Sequence, residues 1–224
     1  MIIDVAINSC GRIDVLEFSI NSMLKNIVTK HDLRLILMED KIEDERRDNY
    51  RREWIEKNSS LFDKVYFSEN KLGVNRGLTE MLKYIESDIF IRQEDDNIFI
   101  KKVDIDPIIE VMLDHEDRIA KIQWKRSIKN VFEFKGKECE IGGIKLISIL
   151  IYGNCAGIFN KRWAEKIMSF TGGNWSPPKH VALPGMIKAK GDVRSLNYYL
   201  GSTMDIPTCV HLGKLMDYKK GKWK

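Results

Sequence analysis

Glu94, Asp95 and Asp96 close a short apolar run, Ile89-Phe90-Ile91, after the polar pair Arg92-Gln93. Three successive carboxylates repel one another, so a cation beside them lowers their energy. On an extended segment Glu94 and Asp96, two residues apart, point to one side. Carboxylates on one side of a strand end suit Mg²⁺ or Mn²⁺ carrying a diphosphate, because these ions keep waters and take only one or two protein carboxylates. Acidic triplets also decorate solvated helix faces. Here the apolar run ahead of the triplet reads as a buried strand, and in open α/β sheets ligands collect beyond the carboxyl ends of strands.

The elements that would position these carboxylates repeat a pattern. A strand over 2–7 ends at Asn8-Ser9-Cys10-Gly11-Arg12, and Ile13, Leu16, Ile20, Leu24 and Ile27 then recur at helical spacing. A second strand, 33–38, ends on Glu39-Asp40 and precedes a charged helix, 43–57, with Trp54 and Ile55 as core candidates. A third, 65–67, precedes a polar loop and the helical stripe Leu78, Met81, Leu82 and Ile85. Alternation of this kind predicts an α/β fold with a mostly parallel central sheet flanked by helices and joined by right-handed crossovers. The later chain is less regular: a helix near 107–115, strands near 119–124 and 144–152, an exposed hairpin within 132–143, and a helix over 161–170. Paired glycines and prolines over 172–178 predict a mobile loop, with 172–184 as a lid and Trp175 as its apolar anchor. Without repeats or long linkers, the chain reads as a single domain, 1–224, in which 1–100 binds the ligand, 101–215 binds a second substrate and 216–224 is a basic tail.

Composition narrows the classes. A chain of 224 residues buries a sizeable core without disulfides or metals. Its 37 basic and 33 acidic residues leave +4, too small a charge to argue for nucleic acid as a partner. Lys214, Lys219, Lys220, Lys222 and Lys224 gather at the end, a tail read as frayed and solvated, or as a peripheral contact with an anionic membrane. Cys10, Cys139, Cys155 and Cys209 lack paired metal or redox spacing, and no leader precedes the first strand, so reduced thiols in a cytoplasmic protein are expected. Cys209 and His211 form a lone C-x-H, weak grounds for zinc. No apolar run approaches the roughly 20 residues that span a bilayer.

Together these segments resemble the family 2 glycosyltransferases of the GT-A fold. The resemblance rests on an ordered set: Val5-Ala6-Ile7-Asn8-Ser9 with Arg12, the strand ending on Glu39-Asp40, Asn70-Lys71-Leu72-Gly73-Val74-Asn75-Arg76-Gly77, the Glu94-Asp95-Asp96 cluster, and the late His211. It implies a single Rossmann-like GT-A domain that takes a nucleotide-diphosphate sugar and a glycan, lipid-linked or protein acceptor, with Mn²⁺ or Mg²⁺ as cofactor.

Carried over by residue, the resemblance places Asn8, Ser9 and Arg12 at the nucleotide-sugar pocket, Asp40 on a base N–H, and Asn75 and Arg76 toward base or diphosphate. Asp95 would meet the ribose, and Asp96 and His211 the metal. Glu94 stands where the family has aspartate; it keeps the charge with a longer side chain. Gly153 to Phe159 resembles the small-residue segment beneath the donor sugar. Asp192 sits where the family has the aspartate that serves as general base, although Gly191 replaces the glutamate before it. Simpler roles stay open at several positions. Asp40 and Asp192 suit helix starts, Asn75 and Arg76 a helix cap and solvated face, and Gly73 and Gly77 backbone geometry. A nucleotidyltransferase shares this sheet type but usually has a glycine-rich basic loop after its first strand. A non-catalytic relative would have lost Asp96 or Asp192.

Overall fold

The computed structural model describes residues 1–124, 137–149, 155–171, 197–202, 205–211, 216–217 and 222–223. In chain order its first half runs β1 (Ile2–Ser9), α1 (Ile13–Asn26), β2 (Ile27–Val28), β3 (Asp32–Glu39), α2 (Glu45–Lys57), β4 (Lys64–Phe67), α3 (Gly73–Met81), β5 (Ile89–Glu94), β6 (Asn97–Phe99), β7 (Val103–Asp104) and α4 (Asp106–Asp114). The second half continues with β8 (Lys121–Gln123), β9 (Lys137–Ile141), β10 (Ile144–Ser148), β11 (Gly157–Asn160), α5 (Lys161–Thr171), β12 (Asn197–Leu200), β13 (Cys209–His211), β14 (Met216–Asp217) and β15 (Lys222–Trp223).

Alternation along the strands builds the layers. Val5, Ile7, Leu35, Leu37, Ile89 and Ile91 enter one core, under Ile13, Leu16, Ile20 and Met23 of α1. Their neighbours Ala6, Ile36, Met38 and Phe90 face the opposite way, into a second core with Leu78, Met81 and Ile85 and with Trp163, Ala164 and Ile167 of α5. Strands buried on both faces lack a polar side, which explains their unbroken apolar runs.

One nine-stranded sheet has the order β4-β3-β1-β5-β11-β8-β12-β10-β9. β4, β3, β1 and β5 are parallel throughout. Beyond β5 the sheet is mixed. β11 runs antiparallel to both β5 and β8, β12 is parallel to β8, and β10 and β9 close the edge antiparallel. The parallel expectation therefore holds for the first half and gives way where β11 inserts. Gly157 explains part of that insertion. A Cβ there would lie 2.4 Å from the Ile122 carbonyl oxygen, so the close β11–β8 approach needs this small residue.

The hairpin turn is Gly142-Gly143, with φ 55° and 77°, and its second arm is the strand expected from 144. The helical stripe extends past α3, which ends at Met81, while Leu82 and Ile85 stay buried in the turns that follow. In the basic tail, β14 and β15 pair antiparallel, Met216 with Trp223, which replaces the frayed terminus expected there. Lys214, Lys219, Lys220 and Lys224, the 172–184 segment with Trp175, and residues 150–154 lie outside the described residues. Among the described residues, no helix is long and apolar enough to cross a membrane.

The N-terminal end of the sheet is tied by Asp4, which is fully buried. Its carboxylate accepts hydrogen bonds from Arg34 Nε at 2.6 Å and from the Glu86 and Ser87 amides at 2.6 and 2.9 Å. Burial alone would raise its pKa, but those donors outweigh it and hold Asp4 below 3.8. A depressed folded-state pKa adds stability that is complete above the unfolded value and drains as pH falls through the folded one. Asp4→Ala is expected to cost about 3 kcal/mol by urea unfolding at pH 7. That difference should shrink as the pH is lowered below 3.8.

Candidate active site

The carboxyl ends of β1, β3 and β5 lie in register: Asn8 pairs with Met38 and Glu94, and Ser9 with Glu39. Their end loops enclose a cavity of about 220 Å³ lined by Asn8, Ser9, Arg12, Asp40, Arg92 and the acidic triplet, among others.

Two turns form its acidic wall. After β1 the chain turns at Gly11, φ 68°, whose N–H donates to Glu39 Oε1 at 2.6 Å; a Cβ there would lie 2.0 Å from Ile42 Cδ1. This turn delivers Arg12 just ahead of α1. After β5, Asp95 and Asp96 form a tight turn into β6. The turn overrides the extended geometry expected of Glu94 and Asp96. Instead the adjacent pair Asp95 and Asp96 converge on one cation, and it is internal. Arg12 donates from Nε to Asp95 Oδ2 at 2.9 Å, from Nη2 to Asp95 Oδ1, and from Nη1 to Asp96 Oδ2 at 2.7 Å. The two carboxylates are 1% and 2% exposed, whereas the Arg12 side chain is 29% exposed. Burial pushes the Asp95 pKa up to about 7 against the pull of Arg12, with Asp96 adding to the rise.

Glu94 is held differently. As the last residue of β5 it shares a face with Arg92, whose Nη1 donates to Glu94 Oε1 at 2.9 Å, and Asn97 Nδ2 donates to Oε2 at 3.0 Å. Behind the turn, the Ser19 hydroxyl of α1 lies 3.0 Å from the Glu94 carbonyl and 2.8 Å from that of Asn97, and Gln93 Nε2 donates to Ser19 Oγ and to the Asn97 carbonyl. Sequence reading missed Ser19, Arg92 and Arg51. The legible signal for Arg92 was a cation placed two residues before Glu94 on a strand. Ser19 and Arg51 carried none, since each acts through a partner distant in sequence or on another element.

Asp40 sits at the end of β3, 8% exposed. Its Oδ1 accepts from Ser68 Oγ at 2.9 Å and the Leu72 amide at 2.8 Å, and its Oδ2 accepts from the Gly73 amide at 2.7 Å. The carboxylate thus fixes the loop that starts α3, and what it can offer a base is its remaining acceptor capacity. Arg51 of α2, fully buried, donates to the Asp40 carbonyl and, at 3.1 Å, to Glu39 Oε1, and it pairs with Asp48. Burial raises the Glu39 pKa against these donors.

On α3, Gly77 lets the helix approach Asn8, since a Cβ would lie 3.2 Å from Asn8 Nδ2. Arg76 is exposed, and the Asn75 side chain lies outside the described part. β13 pairs antiparallel with β6, setting the His211 backbone opposite Asn97, one residue from Asp96. The His211 side chain and Asp192 lie outside the described residues. Among the described residues, no three His, Cys, Asp or Glu side chains are grouped to hold a metal ion.

The sequence profile of Glycosyl transferase family 2 matches residues 4–178. The chain belongs to this family. No curated protein sequence matches it. Solved structures share its GT-A architecture at low identity. TarS of S. aureus, residues 1–349 in complex with UDP, is 13% identical with a TM-score of 0.57 over 92% of this chain and 59% of that one. The mannosyltransferase PcManGT of Pyrobaculum calidifontis, in complex with GDP-Man and Mn²⁺, is 10% identical with a TM-score of 0.55 over 88% and 56%. A CMP:2-keto-3-deoxy-manno-octonic acid synthetase complexed with CTP is 11% identical with a TM-score of 0.52 over 90% of each chain. Such identities establish likeness of fold alone. The chain spans less than two thirds of the length of these TarS and PcManGT structures.

Because Asp40 holds two loop amides, Asp40→Asn replaces one accepting oxygen with a donor facing an N–H. The variant is expected to lose about 1 to 3 kcal/mol of stability with no ligand present, read by urea unfolding. An unchanged midpoint would mean the α3 start does not depend on this carboxylate.

Proposed function

We propose that the protein transfers a glycosyl group from a nucleotide-diphosphate sugar to an acceptor hydroxyl, with the donor in the cavity at the ends of β1, β3 and β5. The observation that carries this reading is the convergence of Asn8, Asp40, Arg12, Asp95 and Asp96 on one cavity in a chain of Glycosyl transferase family 2. Asn8 and Ser9 would line the base, with Asp40 accepting from a base N–H. Asp95 would meet the ribose, and Asn75 and Arg76 would flank the base or diphosphate from α3.

A divalent ion fits this cavity on two grounds. The acidic turn already binds one cation, the Arg12 guanidinium, and its carboxylate oxygens are the hard donors that Mn²⁺ and Mg²⁺ favour. Asp96 would be the principal ligand. His211 would join it from β13, and Glu94, fixed by Arg92 and Asn97, would support the site or bind directly. When bound, the ion would offset the negative charge that develops on the leaving diphosphate. Asp192 would take the acceptor proton as that oxygen attacks the anomeric carbon, and attack opposite the leaving group inverts the configuration. The nearby synthetase fold allows nucleotidyl transfer as a second reading. The family match and the single-glycine loop after β1, whose arginine turns to the acidic wall, favour glycosyl transfer.

The test is thermal stabilisation by a panel of nucleotide sugars with and without Mn²⁺, since a ligand that binds only the folded state raises apparent stability. At least one sugar donor should stabilise the protein, and more so with Mn²⁺. Asp96→Asn should lose the metal-dependent part. Asp192→Asn should bind donor normally and transfer about 100-fold more slowly. Stabilisation only by CTP, with turnover of a sugar and CTP to a nucleotide sugar, would establish the nucleotidyltransferase reading instead.

A further inference from the structure

The acidic turn and Arg12 differ in freedom. Asp95 and Asp96 are buried and braced from behind by Ser19 and Gln93 through the turn's carbonyls. The Arg12 backbone is set by the Gly11 turn and the start of α1, and its side chain, 29% exposed, is the more solvent-accessible partner. Two adjacent buried carboxylates are relieved by a compensating cation, because an uncompensated buried charge is strongly destabilising. The three hydrogen bonds from Arg12 to the acidic turn are unequal. Nε and Nη2 grip Asp95 as a fork, and Nη1 alone reaches Asp96 Oδ2.

On the reading that Asp96 holds the donor's metal, an ion at that carboxylate would stand beside the guanidinium already on it, and the two cations repel. We infer that Arg12 is the counter-cation of Asp96 in the donor-free protein and yields it to the arriving divalent ion. The guanidinium then pivots on Asp95, and its freed edge turns to the diphosphate. Arg12 lines the same cavity, and a planar guanidinium matches phosphate oxygens. Arg92, the other cavity-lining arginine, stays on Glu94 within the strand. The pivot couples the ligands. The ion frees a phosphate-binding edge and the diphosphate keeps that edge away from Asp96, so each raises the other's affinity by the same factor.

Mn²⁺ titration followed by electron paramagnetic resonance tests this in the wild-type protein, Arg12→Ala and Arg12→Lys, each alone and with UDP or GDP. Without nucleotide, Arg12→Ala is expected to bind Mn²⁺ about tenfold more tightly than the wild type. Diphosphate should tighten Mn²⁺ binding in the wild type and do so less in Arg12→Ala. Arg12→Lys, which keeps a charge but lacks the fork, should fall between them and carries the test if the alanine variant does not fold. Equal or weaker Mn²⁺ affinity in the folded variants overturns the competition while leaving the metal site standing. Mn²⁺ binding to none of the proteins, even with diphosphate, overturns both this inference and the metal-dependent part of the proposed function.

Discussion

Two carboxylates side by side and out of water, Asp95 and Asp96, are the constraint around which this end of the molecule is arranged. The fold meets it with the guanidinium of Arg12. That solution sets demands on neighbouring segments. The turn after β1 must pass through a left-handed residue, which is Gly11, and its amide is received by Glu39 from the next strand. α1 must then start at once and offer Ser19 to the carbonyls of the acidic turn. Arg12, just ahead of α1, and Ser19 within it therefore place the cation in front of the carboxylates and the hydroxyl behind them.

The sheet makes this economical. β1 lies between β3 and β5, parallel to both and in register, so three strand ends open onto one cavity without any loop having to travel far. Each end solves its own electrostatic problem locally. β3 ends on Glu39 and Asp40, one received by Arg51 and the Gly11 amide, the other by the loop amides before α3. β5 ends on Glu94, received by Arg92 and Asn97. The acids of this cavity are partnered within the fold, and Arg12 is more exposed than the two carboxylates it holds.

Much of this was readable from residue order. The first four strands and the helices between them were legible because buried parallel strands are apolar on both faces and α1 carries its core residues at helical spacing. The ordered polar strand ends pointed to a GT-A glycosyltransferase, and the family match over residues 4–178 agrees. The second half was harder. β11, four residues long, enters the middle of the sheet antiparallel, and a strand that short has no periodicity to mark its partners.

The sequence by itself determined which residue types meet the ligand end of the sheet, since alternation and strand length decide where each run stops. Only the tertiary structure decided who pairs with whom. Arg12 and Asp95 are separated by 83 positions, Ser19 and Glu94 by 75, and Leu72 and Asp40 by 32. A lone arginine or serine carries no local signal of such partners, because the contact exists only once β1 and β5 are laid side by side. The same holds for His211, whose backbone reaches the acidic turn through the pairing of β13 with β6. Spacing along a chain fixes direction within one element, and proximity between elements is a property of the packed sheet.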